Sequence, residues 1–556
     1  MQYFRFRARW LRAAATTATL LMSAAGWPTL ALGAPVDAAR IDALFSAFTD
    51  QTPGCAAAVA RDGRTVYARG FGLADLSHRV PIGPDTVFEI SSVSKQFTAL
   101  AVLLLEADGK LKLDDTLQQH LPELAPVVSQ PVSLRQLLQH TGGLGGYTEV
   151  LELAGVHHEN VVGAPEALRA LAVLPQPNSR PGTRFMYSDT GYFLLAQVVA
   201  RVSGGSLDAL LQARVFGPLG MTSTLVYDDP RRVVPRRARA YAPGKGPQIW
   251  KLQESHWHMD GDAGVQSSVN DLARWGAEVT RPKVLPPGLV EALRTPGRLS
   301  DGTPIPYGLG QVIGNHRGLP FAEHAGEWVG YRARLIHYPT QDTSVAVACN
   351  AAQASARALA QGVADIVLAD AFAPDAAPAA AEGVPDAPRY RGQYLHEGGF
   401  EAARISGDAG ALTVQLGSRR AGLVAAADGS LRTRAGALFT LSEGGQLLKV
   451  SEGGRPPESY RRLPPFTPTA ADDAALAGLF RQGQMGGTLT VTQAADGPRV
   501  QFNAPVGEVA PLQWLGPDHL VGPRVLLRVE RDAQRRVVAL VYLHDRVRGL
   551  RYPRER

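Results

Sequence analysis

The feature that most restricts the fold is an apolar segment that directly follows Ser92. Its apolar residues recur every three or four positions, as they do on one face of a buried helix. They are Val93, Phe97, Leu100, Ala101 and Leu104. Asp108 and Gly109 then interrupt the pattern, as residues at a helix end do. The sequence therefore predicts a buried helix that begins at Ser92, with Ser92 and Lys95 one turn apart on the same face.

Ser92 and Lys95 have the chemistry of a nucleophile and its base. A serine hydroxyl is a poor nucleophile at neutral pH and needs a base within hydrogen-bond reach. A lysine one turn away can act as that base if burial lowers the pKa of its amine. The backbone N–H at a helix start is also free to bind an oxyanion. The alternative is an N-cap serine beside a solvated lysine, and the apolar surroundings of Lys95 in an arginine-rich chain argue against it.

Length and charge set the broad class of the protein. A chain of 556 residues predicts two to four domains of about 100 to 200 residues each. The content of 45% hydrophobic and 19% charged residues is typical of soluble globular proteins. The formal net charge is +6, and four of these charges are arginines among the first 12 residues. Without them the charge is about +2, so we infer no nucleic-acid partner.

Residues 1–34 have the layout of a secretory signal peptide. Arginines precede an apolar Ala/Thr/Leu run, and the small residues at 31–34 follow as candidate cleavage positions. The run is too short and too rich in Ala and Thr to predict a stable membrane span. The sequence therefore predicts export, with the mature protein periplasmic or secreted.

Residues 36–370 combine strand patterns at both ends with helical patterns between them. The strands are predicted at 55–60, 65–70, 331–338 and 344–350. Asp62 and Gly63 separate the first two strands and are typical of a β-hairpin turn. This arrangement predicts one antiparallel sheet built from distant parts of the chain.

The composition changes after residue 370. Residues 371–388 are rich in Ala and Pro and are predicted to form an interdomain linker. Short alternating strands follow, separated by Gly and Asp turns. Two segments recur after roughly 86 to 90 residues: 390–394 at 476–480, and 459–463 at 549–553. We therefore predict two small lipocalin-like β-barrels, at 389–463 and 473–556.

Three motifs lie in order along residues 50–370. They are Ser92 with Lys95, Tyr187 with Asp189, and His324 with Gly326. This order resembles the penicillin-recognising serine hydrolases, which include class C β-lactamases, DD-peptidases, D-aminopeptidases and related esterases. The resemblance implies an α+β fold in which a five-stranded antiparallel sheet is flanked by helices, with the active site between the sheet edge and a helical lobe.

The resemblance also implies catalytic roles. Ser92 would be the nucleophile, and either Lys95 or Tyr187 would accept its proton. The backbone N–H groups of Ser92 and Glu327 would form the oxyanion hole. The implied reaction is a two-step acyl transfer through an acyl-enzyme, with no cofactor and no metal.

The substrate-binding positions depart from the family pattern at two residues. Asp189 stands where the family usually has Asn, and His324 where β-lactamases and DD-peptidases usually have Lys. The cleft then carries about one to two fewer positive charges, which favours a substrate α-ammonium over the carboxylate of a β-lactam. Gly326, two residues after His324, would let the substrate backbone approach a sheet-edge strand. Arg332 and Arg334 argue the other way, because they alternate onto one face of the next strand.

We therefore predict an exported serine hydrolase for amide or ester bonds, with D-amino-acid peptides as the favoured substrates. A class C-like β-lactamase, a DD-carboxypeptidase and an esterase are the alternative hydrolases. A catalytically silent protein that binds cell-wall or peptide ligands is the non-enzyme alternative, although the nucleophile and both candidate bases are present. The barrels would gate the cleft, bind substrate or form a homodimer.

Two histidine-containing segments are candidate metal sites. His256, His258, Asp260 and Asp262 alternate along one segment, but no further His/Cys pair completes a tetrahedral site. We therefore predict no metal there and place the segment at the cleft mouth. The segment 157–159 lacks the helical zinc-binding spacing and is predicted to be a solvated loop.

The chain has two cysteines, Cys55 and Cys349. In the related fold the strand that starts at Cys55 lies beside the one that ends at Cys349. The resemblance therefore implies a disulfide in an oxidising compartment, with two buried thiols as the alternative.

Overall fold

Six antiparallel strands form the main sheet in the computed structural model of this protein. In order across the sheet they are Val312–His316, Leu319–Trp328, Tyr331–Tyr338, Thr343–Cys349, Cys55–Arg61 and Arg64–Phe71. The predicted α+β class and antiparallel sheet are confirmed, with one strand more than expected. The additional strand, Val312–His316, is short and contains Gly314 and Asn315, which strands disfavour, so its sequence signal is weak.

The structure describes ten segments of the chain. They are 36–174, 177–246, 249–374, 387–408, 412–417, 419–426, 428–434, 436–503, 507–523 and 525–555. The predicted signal peptide at 1–34 and most of the predicted linker at 371–388 lie outside the described residues. The chain from Val36 onward forms one compact unit.

Helices cover both faces of the main sheet. On one face Val59 and Val347 pack against the helices Ala38–Leu44 and Ala356–Val367. On the other face small alanines, including Ala58, pack against the helix Val269–Thr280. Neighbouring residues such as Ala58 and Val59 face different helices because successive side chains of a β-strand point to opposite faces of the sheet.

Cys55 and Cys349 lie directly opposite each other in the fifth and fourth strands of the sheet. They form a disulfide, and both side chains are fully buried. The disulfide that the resemblance implied is therefore confirmed. It joins strands whose cysteines are 294 residues apart in sequence, and the antiparallel register places their side chains within bonding reach.

A helical lobe lies between the two halves of the sheet in sequence. Its α-helices are Lys95–Ala107, Leu117–His120, Leu134–Leu138, Tyr147–Leu153, Ala164–Ala172, Asp189–Ser203, Leu207–Leu211 and Pro287–Arg294. In the first of these, every residue from Lys95 to Leu105 is buried. A 3₁₀ turn, Ser91–Ser94, precedes it, so the α-helical part begins at Lys95 rather than at Ser92 as predicted. Such turns are frequent at helix starts.

Shorter strands complete this part of the chain. They are Leu73–Asp75 with Val80–Pro81, Phe88–Glu89 with Val265–Ser267 and Leu225–Val226, and Tyr241–Pro243 with Trp250–Leu252. In the described part of the chain, no single helix has the length and apolar character needed to cross a membrane. Asp189–Ser203 and Leu207–Phe216 reach that threshold only as a pair, bent by 72°.

Eight antiparallel strands close into a barrel after Tyr390. They are Gly392–His396, Ala402–Ser406, Thr413–Leu416, Arg419–Ala425, Leu431–Thr433, Leu438–Ser442, Leu447–Ser451 and Glu458–Arg462. The first and last strands pair, with Tyr394 opposite Arg462, which closes the barrel. The first predicted barrel is therefore confirmed.

The chain after the barrel forms two further sheets, which follow the helix Ala470–Leu476. The first sheet contains Gly478–Arg481, Thr488–Ala494, Gly497–Phe502 and Val509–Pro511. The second contains Gln513–Gly516, His519–Gly522, Val525–Arg531, Val537–Leu543 and Arg548–Pro553. A single bridge between Phe480 and Arg554 joins them. The described residues thus form two linked sheets, not the single closed barrel that was predicted. The chain passes from the first sheet to the second at Leu512, whose N–H donates to the Pro498 carbonyl at 2.8 Å.

The barrel and the two linked sheets share one kind of arginine contact. The Arg462 guanidinium lies 4.8 Å from the Tyr394 ring centroid, and that of Arg554 lies 4.8 Å from the Phe480 ring centroid. Arg554 also donates to the Ala477 carbonyl. The shared contact supports the predicted duplication. It makes Arg554 the equivalent of Arg462, whereas the predicted repeat of 459–463 at 549–553 had placed position 552 there, two residues earlier.

Both C-terminal parts contact the helical lobe. Arg184 of the lobe donates to Glu458 of the barrel, with an Nη2–Oε1 distance of 2.8 Å. Gly146 N–H donates to the Arg546 carbonyl of the linked sheets at 2.7 Å. These contacts bring loops from both parts to the end of the lobe where Ser92 lies.

Candidate active site

Ser92 lies in a tightly held turn. Ser91 before it has a φ of 52°, a left-handed conformation that is uncommon for residues other than glycine and is concentrated at functional sites. The buried Glu89 carboxylate holds the turn, because it accepts the Ser91 N–H at 3.1 Å and the Gly264 N–H at 3.0 Å. The sequence alone did not assign a role to Glu89.

Lys95 is completely buried and directs its amine at three acceptors. Its Nζ lies 3.1 Å from Ser92 Oγ, 2.7 Å from Asp189 Oδ1 and 2.7 Å from the Asp262 carbonyl oxygen. Burial lowers the pKa of Lys95, but the charges of Asp189, Tyr187 and Asp262 raise it by more. The net direction is upward, which reverses the expected shift. Lys95 is therefore an ammonium in the resting site.

Tyr187 lies beside Lys95, with the amine 4.9 Å from the centre of its ring. Its hydroxyl is buried and has no hydrogen-bond partner among the described residues. Burial raises the pKa of Tyr187, and the nearby Lys95 charge only partly offsets this effect. The structure thus brings Ser92, Lys95 and Tyr187 together, as predicted.

Asp189 is paired on both of its oxygens. Oδ1 accepts from Lys95, and Oδ2 lies 3.3 Å from Nη1 of Arg546. Burial raises the pKa of Asp189, but the charges of Lys95 and Arg546 more than offset this, so the carboxyl is ionised. Its charge is already neutralised within the protein, which weakens the expectation that Asp189 pairs a substrate ammonium.

His324 is neutral and serves as a buried hydrogen-bonding link. Its Nδ1 lies 2.7 Å from the Ala325 carbonyl and must donate to it, so Nε2 accepts from the Tyr307 hydroxyl at 3.1 Å. Burial and the charge of Lys95 lower the pKa of His324 to about 3. No fixed cation therefore stands at this position.

Gly326 is required by the protein's own backbone. A Cβ at this position would lie 2.1 Å from the Ile90 carbonyl oxygen and 3.2 Å from the Ser91 side chain. The expectation that glycine serves mainly to admit the substrate backbone is therefore incomplete. Its absence of a side chain lets the strand Leu319–Trp328 lie directly against the turn that carries Ser92. Glu327, the next residue, lines the same cavity as Ser92.

A family model described as Beta-lactamase matches residues 41–368, which is more than half of the chain. This chain belongs to the beta-lactamase family. A D-aminopeptidase of Gluconobacter oxydans is 30% identical over 326 residues, which span 58% of this chain and 61% of that protein. A D-aminopeptidase of Cereibacter sphaeroides is 27% identical over 498 residues, or 88% of this chain and 90% of that protein. The match to the first relative covers less than two thirds of that relative's length.

A solved structure agrees on the fold. The octameric penicillin-binding protein homologue from Pyrococcus abyssi has a TM-score of 0.53 and 22% sequence identity, and covers 76% of this chain and 100% of that one. This likeness and the family match therefore agree on the fold.

In this beta-lactamase-family site, both candidate bases are protonated at rest. The pKa of Lys95 and that of Tyr187 both lie above their usual values. Neither group is therefore a free base in the resting site.

Arg546 is the functional residue that the sequence analysis missed. It lies in the turn between the strands Val537–Leu543 and Arg548–Pro553, and its Nη1 contacts Glu149 at 3.0 Å as well as Asp189. Its guanidinium lies 5.3 Å from the Tyr187 ring centroid. The linked sheets thus supply a cation to a site otherwise built by the beta-lactamase-family domain. In the sequence, only the acidic residue at position 189 indicated such a cation, because a buried carboxylate needs a positively charged partner.

His140 is a second residue without a predicted role. Its Nδ1 accepts the Ser188 N–H at 3.0 Å, and its carbonyl accepts the Met186 N–H at 2.7 Å. Its ring centroid lies 4.2 Å from that of Tyr187. Burial and the charge of Lys95 lower the pKa of His140 well below the usual value. A neutral His140 therefore positions both neighbours of Tyr187 in the chain.

A cavity of about 960 Å³ is lined by Ser92, Tyr187, Asp189 and His324, among other residues. The barrel contributes the segment Arg455 to Glu458, and the linked sheets contribute Asp545 and Arg546. Of the described residues that line it, ten are acidic and five are arginines. The acidic ones are Glu149, Glu152, Asp189, Asp301, Glu323, Glu327, Glu401, Glu452, Glu458 and Asp545. The lining therefore has more acidic groups than arginines, although several of the acids are paired with cations.

Arg332 and Arg334 do not join this lining among the described residues. Arg334 is buried and paired with Glu323. Arg332 donates to the carbonyls of Val329 and Tyr331, at 2.8 and 2.6 Å. The argument that these arginines restore a carboxylate site is therefore not supported.

The segment 256–262 contributes apolar and acidic side chains near Ser92. Trp257, Met259 and Asp262 line a second, smaller cavity that also reaches Ser92, whereas His256, His258 and Asp260 are in neither cavity lining. No group of three or more potential metal ligands is arranged to hold an ion within the described segments. His158 of the segment 157–159 packs its ring against Trp257 and Trp328, with centroids 5.0 and 4.8 Å away, so it is not a freely solvated loop residue.

Proposed function

We propose that this chain is an exported, D-aminopeptidase-like hydrolase that releases an amino-terminal D-amino acid from short peptides, amides or esters. The observation that carries the proposal is the acidic cavity around Ser92, in which ten acidic residues face five arginines. A substrate with a free α-ammonium is attracted to such a cavity, whereas the carboxylate of a β-lactam or an acyl-D-Ala-D-Ala peptide is repelled.

The shape of the cavity supports short substrates. Loops from the barrel and from the linked sheets form part of its wall, and Arg546 reaches to within 3.3 Å of Asp189. A long polypeptide would have to pass between these loops and the helical lobe. The D-configuration of the substrate is suggested by the relatives named D-aminopeptidase, one of which aligns with 88% of this chain.

The proposed reaction has two acyl-transfer steps. Ser92 Oγ attacks the substrate carbonyl, and its proton passes to the Lys95–Tyr187 pair after that pair has lost one proton to solvent. The backbone N–H groups of Ser92 and Glu327 stabilise the oxyanion. The leaving amine or alcohol takes the proton as the C–N or C–O bond breaks. Water then attacks the acyl-enzyme, and the amino acid leaves as Ser92 regains its proton.

Export is part of the proposal. Its support is the arginine-rich start with its apolar run, together with the buried Cys55–Cys349 disulfide, since disulfides persist in oxidising compartments. Cell fractionation and mass spectrometry of the mature amino terminus test this part. A cytoplasmic protein that begins at Met1 would contradict it.

The activity is tested with purified protein and two chromogenic substrates. We expect D-alanine p-nitroanilide to be hydrolysed with a higher kcat/KM than the β-lactam nitrocefin, and L-alanine p-nitroanilide to be a poor substrate. Ser92→Ala is the control and is expected to lose both activities. Faster turnover of nitrocefin than of D-alanine p-nitroanilide would show that the substrate assignment is wrong.

A further inference from the structure

The smaller cavity beside Ser92 has a volume of about 70 Å³ and an unusual lining. Four of its described residues are acidic: Glu89, Asp189, Asp262 and Glu327. Four are aromatic: Tyr147, Tyr227, Trp257 and Trp328. None of the described lining residues is Lys, Arg or His. Acidic groups combined with aromatic faces are the chemistry that recognises an ammonium ion.

Two buried polar atoms at this cavity lack partners. Asp262 is only 5% exposed, and its Oδ2 accepts the Tyr147 hydroxyl at 2.9 Å. Its Oδ1 has no hydrogen-bond partner among the described residues, and neither does Oγ of the buried Ser91. Buried polar atoms are normally hydrogen-bonded, so these two call for a ligand with several donors. Burial and the charge of Asp189 raise the pKa of Asp262 to about 8, and the Lys95 charge only partly offsets this, so a bound cation would favour the ionised carboxylate.

We propose that this cavity binds the α-ammonium of the substrate, with Asp262 as its counter-ion. The inference rests on the proposed aminopeptidase function and assigns the group that would give it specificity. The α-ammonium is attached one carbon away from the carbonyl that Ser92 attacks, so its site must lie next to Ser92. Asp262 satisfies this requirement, because its carbonyl oxygen and Ser92 Oγ both accept from Lys95 Nζ.

The other acids near Ser92 are held by the protein or face solvent. Glu89 accepts the N–H groups of Ser91 and Gly264. The Glu327 side chain is 75% exposed, with Oε2 4.0 Å from Nε of Arg332. Asp189 accepts from Lys95 and Arg546, Glu149 accepts from Arg546, and Asp545 contacts His544 at 2.7 Å. Asp262 keeps one carboxyl oxygen for a ligand. A primary ammonium carries three N–H donors and can serve both Asp262 Oδ1 and Ser91 Oγ.

The two cavities then divide the substrate between them. The smaller one holds the amino-terminal residue, and the larger one, of about 960 Å³, takes the leaving group. A substrate whose amino group is acylated would place a neutral, bulkier group against Asp262. The enzyme would therefore act only at a free amino terminus.

Asp262→Asn tests this assignment with two substrates that differ in their ammonium. D-alanine p-nitroanilide carries it, and p-nitrophenyl propionate lacks it. We expect kcat/KM for the anilide to fall at least about 30-fold, mainly through KM, because removal of one partner of a buried charge pair is costly. For the neutral ester we expect a change of less than about 3-fold. Asp260→Asn, at a partly buried acid outside both cavity linings, is the matched control and is expected to change neither activity by more than about 3-fold.

Tyr147→Phe provides a second variant if Asp262→Asn does not fold, since it removes only the hydroxyl that holds Asp262 Oδ2. It is expected to weaken hydrolysis of the anilide alone, by about 5-fold or more. In the wild-type enzyme, D-alaninamide should inhibit ester hydrolysis competitively and at least about 30-fold more strongly than propionamide.

Three results would overturn the inference. An equal loss on both substrates in Asp262→Asn would mean that Asp262 acts only by positioning Lys95. An unchanged anilide activity would place the ammonium elsewhere, and equal inhibition by the two amides would exclude an ammonium site. If the wild-type enzyme hydrolyses the ester but not D-alanine p-nitroanilide, the proposed function itself fails and the inference fails with it.

Discussion

Arg546 Nη1 lies 3.3 Å from Asp189 Oδ2, although the two residues are 357 positions apart in sequence. Asp189 belongs to the first turn of a helix in the lobe, and Arg546 to a turn of the C-terminal linked sheets. The pair explains how an acid is tolerated where relatives of the same family usually have a neutral amide. The linked sheets therefore contribute a residue to the candidate site.

The Asp189–Arg546 pair predicts a specific pattern of mutant activities. Arg546→Gln leaves an excess negative charge beside Lys95 and Tyr187, and we expect kcat/KM to fall by about 10-fold or more. Asp189→Asn combined with Arg546→Gln should restore part of this loss, with a coupling of about 1 to 2 kcal/mol in a double-mutant cycle. Arg551→Gln, at an exposed ion pair with Glu530 two strands away in the same sheet, is the control. Strictly additive effects would contradict a direct interaction.

The protonated resting state predicts a pH-dependent rate. The pKa values of Lys95 and Tyr187 are both raised, so the form with a free base becomes more abundant as the pH rises, and kcat/KM should increase through the alkaline range. Asp189→Asn removes an anion that stabilises the Lys95 ammonium. The rising limb of the plot of kcat/KM against pH should therefore move to lower pH. Arg546→Gln removes a cation and should move it to higher pH. Rates for p-nitrophenyl propionate between about pH 6 and 10 measure these shifts. A limb that moves in the same direction in both variants would disprove this electrostatic account.

Gly326→Ala is predicted to damage both stability and activity. The added Cβ would lie 2.1 Å from the Ile90 carbonyl, so either the strand or the Ser92 turn must move. We expect a loss of about 2 to 4 kcal/mol in the free energy of unfolding, measured with urea, and a loss of most activity. Gly288→Ala is the matched control because nothing lies within 4 Å of its added Cβ, and its stability should change by less than about 1 kcal/mol. A fully active Gly326→Ala enzyme would argue against this packing.

Removal of the disulfide is predicted to lower stability more than activity. Cys55 and Cys349 lie in the part of the core that packs on Ala38–Leu44 and Ala356–Val367, whereas the Ser92 turn packs in the helical lobe. The double variant Cys55→Ala with Cys349→Ala should lose about 2 to 4 kcal/mol of stability, seen as a lower Tm. Its kcat/KM should remain within about 3-fold of wild type. Two alkylatable thiols in the non-reduced, exported protein would show that the disulfide does not form.

Much of the fold was predictable where the pattern is local. The strand Tyr331–Tyr338 has the predicted ends, and the hairpin turn at Asp62 and Gly63 has the two positive φ values, 53° and 71°, that such a turn requires. Period-two alternation and turn chemistry act between neighbouring residues, so they can be read without the fold. The Val312–His316 strand was missed because Gly314 and Asn315 disfavour strands and leave only Val312 and Ile313 as a strand signal.

In the candidate site, too, some contacts follow from local spacing in the sequence and others depend on the tertiary structure. Ser92 and Lys95 lie three residues apart on one turn, so their contact follows from helical spacing. The direction of the Lys95 pKa shift was predicted wrongly, because burial opposes the charge but Asp189, Tyr187 and Asp262 outweigh it. Those partners come from other segments of the chain, and no local pattern reports their distance.

The amino-acid order alone was enough to predict the nucleophile, its lysine, the antiparallel sheet and the membership of a serine hydrolase family, because each depends on short spacings or on an ordered set of motifs. Folding in three dimensions was needed for the Arg546 cation at Asp189, the role of Gly326 against Ile90 and the acidic cavity with Asp262. Electrostatic energy and steric contact depend on distance in space, and residues far apart in the chain acquire those distances only when it folds.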